Sequence, residues 1–227
     1  MTEFLVALAA FLLLHIVPAL PGIRARLIGT VGRGVYLAAY SIVSLVLLAW
    51  MIHAALKLEF TPLWSSASWQ AWFTLILTPI GLFLLLAGLM SANPASISMA
   101  RDGSPGAITA ITRHPVLWGF VFWSASHIVP NGDLRSLLLF GILLLFALLG
   151  IPMSERRARK RLGADWPNLS RTTSVVPFVA IAGGRTRLRV DRPMGLALLI
   201  TAAVTAWLLT GGHVMLFGAD PLALAGW

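Results

Sequence analysis

The stretch Ile111-Thr-Arg-His-Pro-Val-Leu-Trp-Gly-Phe-Val-Phe-Trp-Ser-Ala-Ser-His-Ile-Val-Pro-Asn-Gly-Asp133 guides the interpretation of the whole chain. An Arg-His-Pro triplet begins an apolar run, and a second histidine, His127, lies near the far end of that run. Ionisable side chains are costly at membrane depth, face the protein interior there, and indicate a functional site. This stretch therefore predicts both a membrane helix and the place where the chemistry of the protein is found.

The composition of the rest of the chain agrees with a membrane protein. Of its 227 residues, 58% are hydrophobic and only 11% are charged, whereas about a quarter of the residues of a soluble domain are charged. Apolar runs near the ~17–25 residues that cross a bilayer cover about 4–20, 35–56, 69–90, 115–130, 134–153 and 194–217. We predict an all-α polytopic bundle of about six transmembrane helices, in a single membrane domain over residues 1–227.

The basic residues lie between the apolar runs and predict the topology. If the first loop faces the cytoplasm, 15 of the 17 Lys and Arg residues, including Arg101, share that side, and only Lys57 and Arg135 lie opposite. The positive-inside rule then places both termini in the periplasm. Residues 154–193 become a basic cytoplasmic segment, in which we expect 154–162 to lie along anionic headgroups as a juxtamembrane helix.

The same features exclude several classes of protein. The basic residues form no groove interleaved with aromatic residues, so the net charge of +9 reflects membrane topology and not nucleic-acid binding. The absence of cysteine excludes disulfides, thiolate nucleophiles and cysteine-ligated zinc or iron–sulfur centres. Because the N-terminus lacks a positive n-region, we expect the first run to be a retained span, with a cleaved signal peptide as the alternative.

The five histidines fall at two predicted levels. His15 and His114 lie near the cytoplasmic ends of their spans, and His53, His127 and His213 near the periplasmic ends. His114 and His127 are 13 residues apart, roughly 20 Å along a helix, so they cannot bind one ion. His15 with His114 is the pair we favour as a metal site, and two imidazoles between helices suit haem iron. The alternative is that each histidine only forms hydrogen bonds at the interface.

The residues around His114 have both structural and functional interpretations. Pro115 suits a first helical turn, and Gly119 permits close approach of a second helix. Arg113 is typical of a helix anchor, or it pairs with a carboxylate of a cofactor. Trp118 either packs against the protein or contacts the same cofactor.

Two further polar spots have alternative interpretations. The sequence Asn93-Pro94-Ala-Ser-Ile-Ser98 either ends the third run with turn chemistry or forms a polar wall beside His114. Glu155 begins a basic stretch, where a carboxylate suits the N-terminus of a helix. The short run at 115–130 is expected to recruit part of 107–114 or to lie in locally thinned bilayer.

The stretch 111–141 resembles the NnrU family, and so do His15, Asn93-Pro94 with the serines after it, and Thr173-Ser-Val-Val-Pro-Phe178. The resemblance extends to about Gly184 and covers the last span least. The family is named for a requirement in bacterial nitrite and nitric oxide reduction. It implies a multi-pass protein of the bacterial inner membrane that acts in this reduction, or a non-catalytic membrane partner of denitrification enzymes.

The family is in turn similar to the 15-cis-ζ-carotene isomerases, haem b membrane enzymes that isomerise a polyene double bond. Their Arg-His-Pro and first-span histidine match Arg113-His114-Pro115 and His15, which implies these two histidines as iron ligands. Asn93, Arg113 and Trp118 are then further candidate cofactor-binding residues. The implied activity is redox-linked cis–trans isomerisation of a lipophilic, isoprenoid-like substrate. Because the chain has no cysteine, a thiolate cannot replace an imidazole at the iron.

A second resemblance supports an alternative function. Arg-His-Pro followed by Glu155, Leu162-Gly163, Trp166 and Pro177-Phe178 looks like the isoprenylcysteine and phospholipid methyltransferases, in which this region binds S-adenosylmethionine. The chain departs from that pattern in having one glutamate where two are frequent, and Trp166 and Leu169 where tyrosines are found. An S-adenosylmethionine-dependent membrane methyltransferase is therefore the alternative.

Overall fold

A computed structural model describes residues 1–100 and 104–226, so Arg101 lies outside the described residues. Within them, the chain consists of helices joined by loops and contains no β-strand, which confirms the predicted all-α class. The helices are α1 (Thr2–Ile16), α2 (Pro21–Val31), α3 (Arg33–Leu56), α4 (Ser68–Met90), α5 (Ile108–Ile111), α6 (Pro115–Ile128), α7 (Leu134–Leu162), α8 (Trp166–Thr172), α9 (Val179–Ala182), α10 (Arg192–Trp207) and α11 (His213–Phe217).

Within the described part of the chain, four helical stretches are long and apolar enough to cross a membrane. They are α3, α4, Leu134–Thr172 and Arg192–Phe217, and each coincides with a predicted run. The two other predicted runs correspond to α1, with 15 residues, and α6, with 14. The protein is thus embedded in the lipid bilayer, whereas six spans and periplasmic termini stay predictions.

The start of α6 shows why that helix is short. Thr112 has extended backbone angles, which end α5. His114 has φ −121° and ψ 57°, outside the helical region, which is disfavoured for a residue before proline. Residues 108–111 therefore form a separate turn of helix, α5, and do not lengthen α6. At 1.5 Å per residue, the 14 residues of α6 rise about 21 Å, less than the ~30 Å hydrocarbon thickness of a bilayer.

The fifth predicted run and the basic residues after it form one continuous helix, α7, of 29 residues. We expected the fifth span to end at about residue 153 and residues 154–162 to lie along anionic headgroups as a juxtamembrane helix. Instead, Pro152 lies inside α7 and the helix continues through it. The basic residues therefore extend the axis of a membrane helix.

The chain separates into two compact units, Met1–Leu63 with Asp133–Leu139, and Trp64–Gly132 with Phe140–Trp227. In the first unit, α1 packs along α3, and Glu3 accepts hydrogen bonds from Trp50 and Lys57. The side chains buried there come from both helices: Phe4, Ala7, Phe11, Met51, Ala54 and Ala55.

In the second unit, α4 packs closely against α6. The space for a Cβ atom at Gly119 lies 2.7 Å from the Gly81 carbonyl oxygen, and at Gly81 it lies 2.8 Å from the Gly119 oxygen. Glycine at both positions is therefore required for this crossing, as predicted for Gly119. The apolar core beside it joins α4, α5 and α10 through Leu84, Ala87, Ile108, Ile111, Met194 and Ala197.

Candidate functional site

His114 is the centre of a buried polar cluster at the start of α6. Its side chain is 0% exposed. Nδ1 lies 3.0 Å from Ser96 Oγ, and Nε2 lies 3.3 Å from Glu155 Oε1. Both ring nitrogens are therefore within hydrogen-bonding distance of protein groups.

Glu155 joins His114 to Arg113. The same carboxylate oxygen accepts a hydrogen bond from Arg113 Nε at 2.8 Å, and both side chains of this ion pair are mostly buried. The helix α7 brings Glu155 to the start of α6, 42 residues away in sequence. Glu155 is thus a partner of two residues of the Arg-His-Pro triplet, and it lies well inside α7, so the interpretation of Glu155 as a carboxylate at a helix start is wrong.

The loop after α4 supplies the wall on one side of the cluster. The Asn93 amide donates to the Arg113 carbonyl at 2.9 Å, and Asn93 Oδ1 accepts from the Ala95 backbone at 2.9 Å. Together with the Ser96 contact, these bonds match the polar wall predicted beside His114. The same loop also ends α4, so both interpretations of Asn93-Pro94 describe it.

The segment Thr173-Ser-Val-Val-Pro-Phe178 covers another side of the cluster. The Arg113 backbone donates to the Ser174 carbonyl at 2.8 Å, and the Phe178 backbone donates to the Ile111 carbonyl at 2.8 Å. Arg113 Nη1 reaches the carbonyl and the hydroxyl of Thr173, both at 3.1 Å. Phe178 adopts φ +66°, a left-handed conformation that is rare for a residue with a side chain. The segment therefore holds the backbone of the triplet in place.

The two tryptophans near the cluster have structural partners. Trp118 Nε1 donates to the Val175 carbonyl at 2.8 Å, which ties α6 to the 173–178 segment. The Trp166 ring is buried, and the Arg113 guanidinium lies 5.3 Å from its centroid, a distance typical of a cation–π contact. Trp118 remains a predicted cofactor-binding residue.

The electrostatics favour a neutral imidazole at His114. Burial lowers the pKa of the His114 imidazole, and the Glu155 carboxylate partly opposes this. The Arg113 charge acts in the same direction as burial. Because metal ions bind the neutral form of imidazole, this protonation state suits a ligand, although the contacts of both nitrogens do not leave a position open.

His15, the other predicted iron ligand, belongs to the first unit, and His114 belongs to the second. The His15 ring is partly buried in α1, with Nδ1 2.8 Å from the Phe11 carbonyl. Its ring packs against Phe11 at 4.2 Å and lies edge-on to Tyr40 at 5.7 Å. The pairing of His15 with His114 stays a prediction.

His127 and His213 bond to backbone carbonyls close to them in sequence. His127 Nδ1 bonds to the Trp123 carbonyl at 2.7 Å, and His213 Nδ1 bonds to the Ala219 carbonyl at 2.7 Å. Among residues 1–100 and 104–226, no group of three or more His, Cys, Asp or Glu side chains is placed to bind a metal ion.

The residue types alone did not indicate that Glu155 bonds to both Arg113 and His114, or that residues 173–178 supply backbone partners. One signal was available: Glu155 is the only acidic residue in the 29 residues of α7, between an apolar half and a basic end. The 173–178 segment is part of the resemblance to the NnrU family, but its residue types do not indicate that its backbone bonds to Ile111 and Arg113.

Comparison with known proteins identifies a family over most of the chain and two curated relatives over half of it or less. The model of the NnrU protein family matches residues 3–221. A similar protein from Arabidopsis thaliana, 15-cis-zeta-carotene isomerase, chloroplastic, is 34% identical over 117 residues. That match covers 50% of this chain and 31% of the relative.

The protein of the same name from Zea mays is 36% identical over 84 residues, or 37% of this chain and 23% of the relative. The matched region is thus about a third or less of the length of each of these relatives. No solved structure matches the chain significantly.

Proposed function

This chain belongs to the NnrU family, and from that we propose that it is an isomerase-like protein of a bacterial inner membrane, acting on a lipophilic, isoprenoid-like substrate. The observation that carries the proposal is the buried Arg113–Glu155–His114 cluster, in a chain similar to two carotene isomerases. An apolar polyene dissolves in the bilayer, where this protein is embedded. Arg113, Glu155 and the 173–178 segment hold the triplet rigidly, as a site for such a substrate requires.

Haem b is the cofactor that we propose. In kind, the donor groups fit, because imidazole is a common axial ligand of haem iron. The present orientation of His114 leaves no nitrogen open to iron, because the ring is fully buried and both nitrogens have partners in Ser96 and Glu155. Iron binding by His114 therefore requires the ring to give up one of these contacts. When bound, haem would supply the redox chemistry, and the protein would supply orientation.

The cofactor proposal is tested by the reduced-minus-oxidised absorption spectrum of the detergent-solubilised protein, purified from cells supplied with haem. We expect haem b bands that are strongly reduced in His15→Ala and in His114→Ala. His213→Ala is the matched control and should keep them. Absence of the bands in the wild type, also after reconstitution with haemin, would overturn the proposal, and their retention in His114→Ala would exclude His114 as a ligand.

The activity is tested separately with cis-polyenes in liposomes that contain the haem-loaded protein and a reductant. Chromatography of the extracted pigment should show a cis-to-trans change of isomer that empty liposomes and Arg113→Ala protein do not produce. A product distribution equal to that of empty liposomes, from protein with intact haem bands, would contradict the isomerase proposal and leave haem binding standing.

A methyltransferase is the second candidate, because the residues that suggested it do come together: Arg113 and His114 both contact Glu155. A cavity of about 330 Å³ also lies nearby, lined partly by Pro94, Asp165 and Asn168. S-adenosylmethionine binding by equilibrium dialysis would distinguish the two candidates. Saturable binding weakened in Asp165→Asn supports the methyltransferase, and no binding at millimolar cofactor removes it.

The resemblance to the family also implies a part in nitrite or nitric oxide reduction, as an enzyme or as a non-catalytic membrane partner of denitrification proteins. Co-purification of a reductase with the tagged protein would favour the partner role, provided that the protein purified alone shows neither haem bands nor isomerase activity.

A further inference from the structure

We infer that residues 185–190 are a docking segment for anionic phospholipid headgroups, and this inference is independent of the cofactor and the reaction. The segment Arg185-Thr-Arg-Leu-Arg-Val190 joins α9 to α10 and lies in the second unit. It leads at once into Arg192–Phe217, a stretch long and apolar enough to cross the membrane. A chain entering a span must pass the interface, so this segment lies at headgroup depth.

Arg185 donates to the Thr173 carbonyl at 3.3 Å, whereas the other two arginines of the segment have no carboxylate partner in the part of the chain that the structure describes. Arg187 and Arg189 are exposed, and neither has a hydrogen bond or an ion pair to any residue of 1–100 or 104–226. The nearby carboxylate, Asp191, is occupied by backbone groups, since its two oxygens accept from Ala107 at 2.8 Å and from Met194 at 3.1 Å. These guanidinium groups are therefore available to anions from outside the protein.

The apolar residues between the arginines are equally exposed. The exposed fraction is 55% for Leu188 and 75% for Val190. A loop in water would be expected to carry polar side chains at such exposed positions. Interleaved basic and apolar side chains suit the boundary between headgroups and acyl chains, where cations meet phosphates and apolar groups enter the hydrocarbon edge. Free phosphate would satisfy the arginines but would leave Leu188 and Val190 in water.

The charge of this part of the sequence favours an anionic occupant. Residues 154–192 carry ten basic residues against three acidic ones, a net charge of +7. The acidic residues Glu155 and Asp191 are both engaged within the protein. Zwitterionic headgroups do not neutralise such an excess, whereas anionic lipids attract each basic residue near the surface.

The absence of cysteine makes a clean test possible. The variant Val190→Cys of the full-length protein carries a single thiol, which can be labelled with an environment-sensitive fluorophore and reconstituted in nanodiscs. We expect quenching by brominated acyl chains, and stronger quenching when the brominated lipid is phosphatidylglycerol than when it is phosphatidylcholine, in mixed discs of both lipids. Equal quenching by the two lipids would overturn the inference.

A charge-matched control separates this segment from general attraction of a basic protein to anionic lipid. In the Val190→Cys background, Arg187→Gln with Arg189→Gln should lower the preference for phosphatidylglycerol on the order of tenfold. Arg24→Gln with Arg26→Gln removes two exposed charges from α2 and should leave the preference unchanged. An equal loss in both pairs, or suppression of the preference by millimolar inorganic phosphate at constant ionic strength, would contradict a lipid-docking segment.

Discussion

The two ends of α6 satisfy their polar groups in opposite ways. At its start, Arg113 and His114 are bonded to α7, to the loop after α4 and to residues 173–178, with partners 18 to 60 residues away in sequence. At its end, His127 bonds to the carbonyl of Trp123, four residues earlier on the same helix. Its ring packs on Phe140 at 4.9 Å.

Polar residues of a membrane helix thus differ in how far they depend on the tertiary fold. A buried charge requires a partner from another element, because its desolvation is costly. An imidazole can instead be satisfied by its own helix and packed by aromatic rings. The start of α6 should therefore be sensitive to single substitutions, and its end tolerant of polar-group loss.

The largest effect is expected for Arg113→Ala. Removal of the guanidinium leaves the mostly buried Glu155 carboxylate without its charged partner, which should cost about 3 kcal/mol of unfolding free energy. Denaturant unfolding of the detergent-solubilised protein measures this. The exposed neighbour variant Arg156→Ala should remain within ~0.5 kcal/mol of wild type. Equal effects of the two variants would mean that the ion pair does not stabilise the start of α6.

The next largest effect is expected at the far end, from backbone crowding instead of charge. A Cβ atom at Gly132 would lie 2.0 Å from the Trp64 carbonyl oxygen, so Gly132→Ala must displace the chain and should cost about 2 kcal/mol.

The matched control for this crowding is Gly195→Ala, where a Cβ atom has no neighbour within 4 Å. Alanine in this helix should be neutral or stabilise the protein by up to ~1 kcal/mol. The same unfolding assay gives both values. A stable Gly132→Ala protein would show that Trp64 is free to move.

A smaller loss is expected for Ser96→Ala, which leaves His114 Nδ1 buried without its 3.0 Å partner. A cost of about 1 kcal/mol follows from the loss of one buried hydrogen bond. Ser66→Ala provides the comparison at the other end, since the exposed Ser66 hydroxyl donates to the Pro130 carbonyl. Thermal unfolding should give a lower Tm for Ser96→Ala than for Ser66→Ala. The reverse order would contradict the contrast between the two ends of α6.

The smallest effect is expected for His127→Phe. Phenylalanine keeps the packing against Trp123 and Phe140, so the change in unfolding free energy should be within about 0.5 kcal/mol. His114→Phe, measured beside it, should cost at least ~2 kcal/mol, because it removes the buried hydrogen bonds to Ser96 and Glu155 and places a larger ring at a fully buried position. Similar values for the two variants would show that both histidines are only packing residues.

Much of the fold followed from local patterns. The apolar runs at 35–56 and 69–90 match α3 and α4 nearly residue for residue, because hydrophobicity over 20 residues is a strong local signal. The length of α6 was less predictable, since it depends on the backbone of Thr112 and His114 before Pro115. The continuation of α7 through Pro152 likewise overrode a boundary that composition suggested.

The candidate site was predicted only in part. Asn93, Arg113 and His114 were recognised as one polar neighbourhood, and they are close together. Only the resemblance to methyltransferases grouped Glu155 with Arg-His-Pro; its local sequence suggested a helix start, whereas it lies inside α7 and bonds to α6. The partners of Trp118 and Arg113 in residues 173–178 are backbone carbonyls, which every residue type offers equally.

The sequence alone was sufficient to show an all-helical membrane protein, to locate four of its long helices, and to indicate that Arg-His-Pro begins a polar neighbourhood. These follow from hydropathy and residue type, which are local properties of the chain. Only the tertiary structure decided that Glu155 holds both Arg113 and His114, that residues 173–178 cover them, and that Gly81 and Gly119 meet. Such contacts depend on which helix faces meet, and no local pattern encodes the pairing of faces.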